Sequence, residues 1–291
     1  MRTPIGNRGG RGRLSILLTV ITLLWSGGAM AATLDQIRDS QSIRIAYRED
    51  AAPFSYKGGD GQPAGFMVEL CRLVAQRIAK QLNVADLKPV YVPVTAAERF
   101  EAVRQGRADL LCEATTATLS RRELVDFSLP TFIDGASLMI RAGGPNGLDA
   151  MAGRRIGVLG DTTTEIALRN ELRRAAVEAE VVPMLSHHEG VAQLDDDKIA
   201  AYFADRAILS YLVRDSRAPW QLRIAEQYLT VEPYALALPR GDSAFRLAVD
   251  RALSHIYRSG EIIALFRDVF GAEVNPSQIL KSVYIIAGLP D

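Results

Sequence analysis

Apolar residues along this chain follow two periods. Met67, Leu70, Cys71, Val74, Ile78 and Leu82 recur every three or four positions, which lays one apolar stripe along a helix over 66–82. Short β-branched runs at 43–47 and 90–94, bounded by polar or Gly/Pro clusters, predict strands on either side of it. The alternation continues with a helix over 98–105 and a strand over 109–112. A second series has a strand at 155–159, a helix near 164–176, and strands near 180–184 and 200–204. A late apolar strand at 234–239 precedes two amphipathic helices, 243–258 and 261–270. Alternating strand–helix–strand units predict an α/β protein with parallel sheets covered by helices on both faces.

The Gly- and Pro-rich segment 142–147 separates the two series and is expected to join two domains. The strand at 234–239 is placed to carry the chain back to the first. Ahead of both series lies a different pattern. Arg2, Arg8, Arg11 and Arg13 precede an uncharged stretch, 14–25, which as a helix spans roughly 18 Å, short of the about 30 Å of a bilayer core. Ala29-Met30-Ala31 follows. A basic start, a short apolar core and an A-x-A triplet mark residues 1–31 as a secretory signal peptide, and the absence of a following lipobox cysteine points to an exported soluble protein of a bacterial periplasm.

Composition narrows the class. Apolar residues make up 48% and charged residues 23%, the balance of a packed globular protein. The 34 basic and 34 acidic side chains cancel, and without the leader the acids are in slight excess, so no nucleic-acid partner is expected. Two cysteines exclude a disulfide scaffold, and three histidines leave little for a metal site. His187-His188-Glu189 make a poor ligand cluster, because adjacent side chains point apart, and at least one imidazole is expected in a solvated turn. The phosphate-loop, dinucleotide, zinc-protease and serine-hydrolase signatures are all missing. Neither a metal nor any other cofactor is expected.

Two strand-end loops carry the candidate chemistry. The segment 160–164 (GDTTT) lies between a strand and a helix, where free N–H groups favour an anion, although such residues also serve as N-caps. The segment 115–121 (TTATLSR) sets hydroxyls before an arginine able to fork a carboxylate. Two such loops at strand ends of two α/β lobes would face one cleft.

With these residues in view, 43–56 (IRIAYREDAAPFSY), 65–77 (GFMVELCRLVAQR) and 106–129 (GRADLLCEATTATLSRRELVDFSL) resemble solute-binding proteins of polar-amino-acid ABC importers, solute-binding family 3. The similarity runs from about Thr33 to Ala272 and is nearest to the glutamate/aspartate-binding branch. It implies a two-lobed periplasmic binding protein fold, each lobe a central sheet flanked by helices and joined by two crossing strands. The lobes are expected at 33–141 with 236–280 and at 142–235, with 281–291 a C-terminal tail. The resemblance assigns the α-carboxylate of the ligand to Arg121, Thr116 and Thr163, and its α-ammonium to Asp205. Arg48 and Arg99 would frame a side-chain carboxylate, with His187 nearby and a backbone group of Ala114 taking part. Ala96 and Ala114 stand where the branch has serines, and Glu113 where it has glycine. Local alternatives are a pair of Arg48 with Glu49 or Asp50, a pair of Asp205 with Arg206, and a surface position for Arg121 beside Arg122.

The resemblance implies capture of glutamate or aspartate by a monomer that delivers it to a permease complex in the inner membrane, without catalysis. A cyclohexadienyl dehydratase of the same fold, with Glu113 as general acid, and a binding protein that serves sensing are the alternatives. Cys71, on the apolar face of its helix, and Cys112, at the end of a strand that helix should cover, are candidates for a disulfide in an oxidising compartment, with two buried thiols the alternative. The leader carries the first expected outcome: exported protein begins at Ala32, and an intact mass that includes residues 1–31 overturns the assignment.

Overall fold

A computed structural model describes residues 1–3, 6 and 32–290; the expected leader therefore lies outside the described residues. From Ala32 onward the chain packs as one compact unit. Its first part runs α1 (Thr33–Ser40), β1 (Ser42–Tyr47), β2 (Asp50–Ala51), β3 (Ser55–Lys57), β4 (Pro63–Ala64), α2 (Phe66–Leu82), β5 (Lys88–Pro93), α3 (Arg99–Arg104), β6 (Leu110–Leu111) and β7 (Asp126–Asp134). Then come β8 (Ala136–Arg141), β9 (Arg155–Leu159), α4 (Thr163–Ala175), β10 (Glu180–Met184), α5 (His187–Asp195), β11 (Ala201–Asp205), α6 (Arg206–Asp215) and β12 (Leu222–Ile224). The chain ends with β13 (Glu232–Leu238), α7 (Ser243–Ser259), α8 (Glu261–Phe270) and α9 (Gln278–Ala287).

Two five-stranded sheets organise these elements, in the orders β5-β1-β6-β13-β7 and β10-β9-β11-β8-β12. The strands joined through helices are parallel, as their spacing predicts: β1 lies parallel to β5 and β6, and β9 to β10 and β11. The sheets are nevertheless mixed. β13 is antiparallel to β6 and β7, and β8 is antiparallel to β11 and β12. These strands reach their sheets from the other lobe, so no helical crossover fixes their direction.

The expected join at 142–147 needs correction. β8 already belongs to the second sheet, so the chain leaves the first sheet at Gly135 and returns between β12 and β13. A side chain does not fit at that crossing: a Cβ on Gly135 would lie 2.3 Å from the Thr230 carbonyl oxygen of the returning segment. The adjacent Ala136 N–H donates to Thr230 Oγ1 at 2.8 Å, which ties the two crossings together. Continuous apolar patterning through 136–140 concealed the crossing. The expected tail at 281–291 is also corrected. Much of it is α9, which buries Leu280, Tyr284 and Ala287, and whose Tyr284 hydroxyl donates to the Thr131 carbonyl at 3.2 Å.

Helix α2 illustrates how local sequence places the first sheet's cover. Gly65, at φ 115°, turns the chain into it, and a Cβ there would meet the Phe54 carbonyl oxygen at 2.5 Å. The carbonyls of Pro53 and Phe54 instead accept the otherwise orphaned N–H groups of Phe66 and Met67, each at 2.9 Å. The buried face of α2 packs among Phe54, Phe66, Phe132, Tyr234, Phe266 and Phe270, whose rings meet mostly edge-on or stacked. Among the described residues, no helix is long and apolar enough to cross a membrane.

Cys71 of α2 and Cys112, just beyond β6, are joined by a disulfide, their Cα atoms 6.3 Å apart. It fastens the strand end that leads into the 113–121 loop. Closing the chain between Cys71 and Cys112 contributes about 4 kcal/mol on the chain-entropy estimate. Unfolded, unreduced protein should therefore show no titratable thiol, and Cys71→Ala with Cys112→Ala should lower the unfolding free energy by a comparable amount in a denaturant titration. Two free thiols would show that the bond does not form.

Candidate ligand-binding site

The strand ends of both sheets converge on one cavity. From the first lobe it is lined by Arg48 after β1, Arg99 at the start of α3, Glu113, Ala114 and Thr116 after β6, and Arg121. The second lobe contributes Thr162 and Thr163 at the entry to α4, His187 at the entry to α5, and Asp205 at the end of β11. All eight residues assigned from the sequence thus line the same cavity: Arg48, Arg99, Ala114, Thr116, Arg121, Thr163, His187 and Asp205. Ala96 is absent from the lining; its carbonyl accepts a hydrogen bond from Arg99.

Both second-lobe helices begin alike. Thr162 accepts the Glu165 N–H and Ser186 the Glu189 N–H, each at 3.1 Å, so Thr163 and His187 sit in first turns at positive dipole ends. The 187–189 segment is therefore a capped helix start. His187 is buried and His188 exposed, so the solvated imidazole is His188. Among the described residues, no group of three or more His, Cys, Asp or Glu side chains could hold a metal ion.

Among the described residues, hydrogen bonds join the two lobes across the cleft. The His187 N–H donates to Asp50 Oδ2 at 3.1 Å, Arg99 Nη2 to the Asp161 carbonyl at 3.4 Å, and Thr163 Oγ1 to Thr116 Oγ1 at 3.3 Å. Beyond the cavity, Tyr56 of the first lobe packs at 5.8 Å against Tyr211 of the second. The lobes are closed on one another.

The cationic side of the cavity is partly balanced. Arg48 pairs with Asp50, Nε lying 3.0 Å from Oδ1, so the local pairing open to it from the sequence is made. Burial alone would raise the Asp50 carboxyl, but Arg48 and His187 together hold it below its ordinary value. Arg99 Nε lies 3.3 Å from Glu113 Oε1 without a hydrogen bond, and Glu113 also accepts the Thr115 hydroxyl. Arg99 and Arg121 stack over the Phe100 ring, at 4.8 and 5.0 Å from its centre. Burial and then the neighbouring Arg99 lower Arg121 to about 10, so it remains a cation at neutral pH. Its Nη1 donates to the Thr116 carbonyl at 2.8 Å, which positions it over the cleft and not on the outer surface. His187 is pushed down to about 3 by burial and by Arg48, and its Nδ1 is hydrogen-bonded to Tyr202 at 2.9 Å, so it is a neutral imidazole.

The anionic side is unbalanced. Asp205 is buried, its Oδ1 has no hydrogen-bond partner, and burial followed by Asp134 and Glu232 raises it well above the carboxylate range. The Tyr234 hydroxyl lies beside it and lowers it slightly, without the geometry of a full hydrogen bond. The expected alternative, a pair with Arg206, is not formed; the Arg206 guanidinium donates to the Ala225 carbonyl. Asp134 and Glu232 face each other in register across β7 and β13, the two strands that lead into and out of the crossing. Asp134 Oδ2 accepts the Ala207 N–H at 3.0 Å, and Glu232 Oε2 accepts the Thr116 hydroxyl at 2.6 Å.

These two acids were not found from the sequence. Each terminates an apolar strand pattern, where a charge signals only a strand end; their meeting depends on pairing between segments remote in sequence. Thr116 also differs from its assigned role. Its one hydroxyl proton is given to Glu232, so the oxygen is left as an acceptor and is not a donor to a carboxylate.

A family model for bacterial extracellular solute-binding proteins, family 3, matches residues 43–272. The chain belongs to that family. This family 3 protein is 27% identical over 249 residues to an L-glutamate/L-aspartate-binding protein of Pseudomonas aeruginosa, covering 85% of this chain and 82% of the relative. It is likewise 27% identical over 239 residues to the glutamine-binding protein GlnH of Bacillus subtilis, covering 81% and 83%. Its fold matches that of AncCDT-1, an ancestral amino acid-binding protein described as a precursor of cyclohexadienyl dehydratase, with a TM-score of 0.72 at 23% identity over 82% of this chain and 99% of the other.

The crowded acids set a pH dependence. Asp134 is raised to about 6, chiefly by burial, with Glu232 adding to it. The unfolded carboxyl ionises near its ordinary value, so between about pH 4 and 6 the folded state holds the extra proton and stability falls as pH rises. Asp134→Asn keeps an acceptor for Ala207 and removes this cost. The variant should melt a few degrees above wild type at pH 7 and close to it at pH 4; parallel melting curves across that range would show that Asp134 ionises freely.

Proposed function

We propose that this protein captures an acidic amino acid, glutamate or aspartate, between its lobes in the periplasm and presents it to the permease complex of an ABC importer. The observation that carries this reading is the unpartnered, buried Asp205 carboxyl sharing a cavity with the Arg121 guanidinium. A zwitterion brings one partner for each, and Asp205 and Arg121 stand on different lobes, so the bound molecule itself draws the lobes together. Arg121 can fork the α-carboxylate beside the α4 N-terminus, and Asp205 receives the ammonium. The rest of the lining, with Arg48, Arg99 and neutral His187, then surrounds the ligand side chain. Two guanidiniums there favour a distal carboxylate and repel a basic side chain.

A second reading is a neutral polar amino acid such as glutamine. It is favoured by the two acids, Asp50 and Glu113, that offset Arg48 and Arg99. Catalysis by Glu113 is less well supported, since its carboxyl is engaged by Thr115 and Arg99.

A thermal-shift screen against the twenty amino acids tests these readings. Ligand at 100 times its Kd stabilises by about 2.7 kcal/mol. Glutamate and aspartate should raise Tm most, glutamine less, and lysine and arginine not at all; a larger shift with glutamine selects the second reading, and no shift with any amino acid refutes both. Arg121→Ala should retain the fold and weaken binding by several hundredfold, since one partner of a buried charged pair contributes about 3–5 kcal/mol. Near-normal affinity by calorimetry would place the carboxylate elsewhere.

A further inference from the structure

Glu232 lies outside the cavity lining, yet it touches the site through one atom. Thr116 Oγ1 approaches Glu232 Oε2 at 2.6 Å, and Thr163 Oγ1 approaches Thr116 Oγ1 at 3.3 Å. A carboxylate accepts and cannot donate, so the single Thr116 proton goes to Glu232. Thr163 must then be the donor to Thr116. Of the two lone pairs on the Thr116 oxygen, one remains, on a side chain that lines the cavity.

We propose that Glu232 is a positioning residue of an amino-group site: acting through Thr116, it presents a hydroxyl lone pair to the ligand ammonium opposite the free Asp205 carboxyl oxygen. The inference rests on the amino-acid reading above and extends it to a residue of the crossing strand. Two observations meet here. The Asp205 side chain is more than nine-tenths buried and carries an oxygen without a partner. A hydroxyl that lines the same cavity, that of Thr116, is held in the acceptor sense by a buried acid.

Asp134, in register with Glu232, adds negative charge on the same side. Arg206, a basic side chain whose charge reaches it, donates to the Ala225 carbonyl. An ammonium offers three N–H donors and a positive charge, and meets both requirements. A carboxylate or neutral carbonyl at this place would set acceptor against acceptor, with the penalty of an unpaired buried polar group. The hinge acids therefore reject α-keto acids and deaminated analogues, so selection for the amine is built into the strand on which the lobes turn.

The test compares L-glutamate with glutarate, and L-glutamine with glutaramate, by calorimetry at pH 7. Within each pair the molecules differ only at the amino group. Glu232→Gln keeps the shape and can turn an N–H toward Thr116, which reverses the hydroxyl. The preference for the amino acid over its deaminated partner should fall tenfold or more, chiefly through weaker binding of the amino acid. Thr116→Val should lower the same preference, Thr116→Ser should keep it, and adding Thr116→Val to Glu232→Gln should lower it no further, because the two residues act as one unit. A residue that merely holds the fold would weaken both members of a pair alike. A preference within about threefold of wild type in Glu232→Gln and Thr116→Val overturns the inference alone. Wild-type protein that binds neither amino acid overturns the inference together with the functional reading.

Discussion

Removing like charges from water in one place is costly unless a counter-charge arrives, and this protein is arranged around that cost. Asp134, Asp205 and Glu232 converge where the two sheets meet, with backbone N–H groups and hydroxyls in attendance but, among the described residues, no guanidinium bound to them. Arg121 is held by a carbonyl and an aromatic face, and the acids of the site act on its charge from a distance. A molecule carrying one charge of each sign completes both halves, and it can do so only where the lobes are together.

The surrounding frame keeps these groups in place without satisfying them. Capping threonine and serine residues fix the starts of α4 and α5, so that Thr163 and His187 project from first turns toward the seam. On the other side the 113–121 loop is held between the strand end it leaves and a backbone bridge from Thr116 to Tyr234. Direct bonds across the seam are few and include a backbone donor at His187 and a backbone acceptor at Asp161. Contacts of that kind can be broken and remade without leaving a naked charge, as reversible opening requires.

Much of this arrangement was legible in the sequence, for a physical reason. Periodicity reports burial on one face, and α2 and α8 each bury one face, so their limits follow from the pattern. The strand-end loops announce themselves by hydroxyls and an arginine outside that pattern. What could not be read was whatever depends on pairing at a distance. The crossing at Gly135 is hidden because β8, buried almost throughout, reads as an extension of the strand before it. Glu232 looks like a polar residue at a strand start until β13 is set beside β7. Thr116 was assigned to the right cavity with the wrong hydrogen-bond sense, since its proton is claimed by that same unseen acid.

The crossing at Gly135 and Thr230 has a use in protein engineering. The backbones touch there where a side chain would stand, and the Thr230 hydroxyl ties the two segments together, so a splice that keeps Gly135 and Thr230 keeps the junction. Everything between these two residues belongs to the second sheet and its helices, including Thr163, His187 and Asp205, while Arg48, Arg99, Arg121 and Glu232 stay behind. A chimaera spliced at this pair would exchange the half of the site that supplies Asp205 and leave the half that supplies the arginines untouched. Lobe exchange between relatives of different taste becomes a two-cut operation, with Gly135 and Thr230 as the seams.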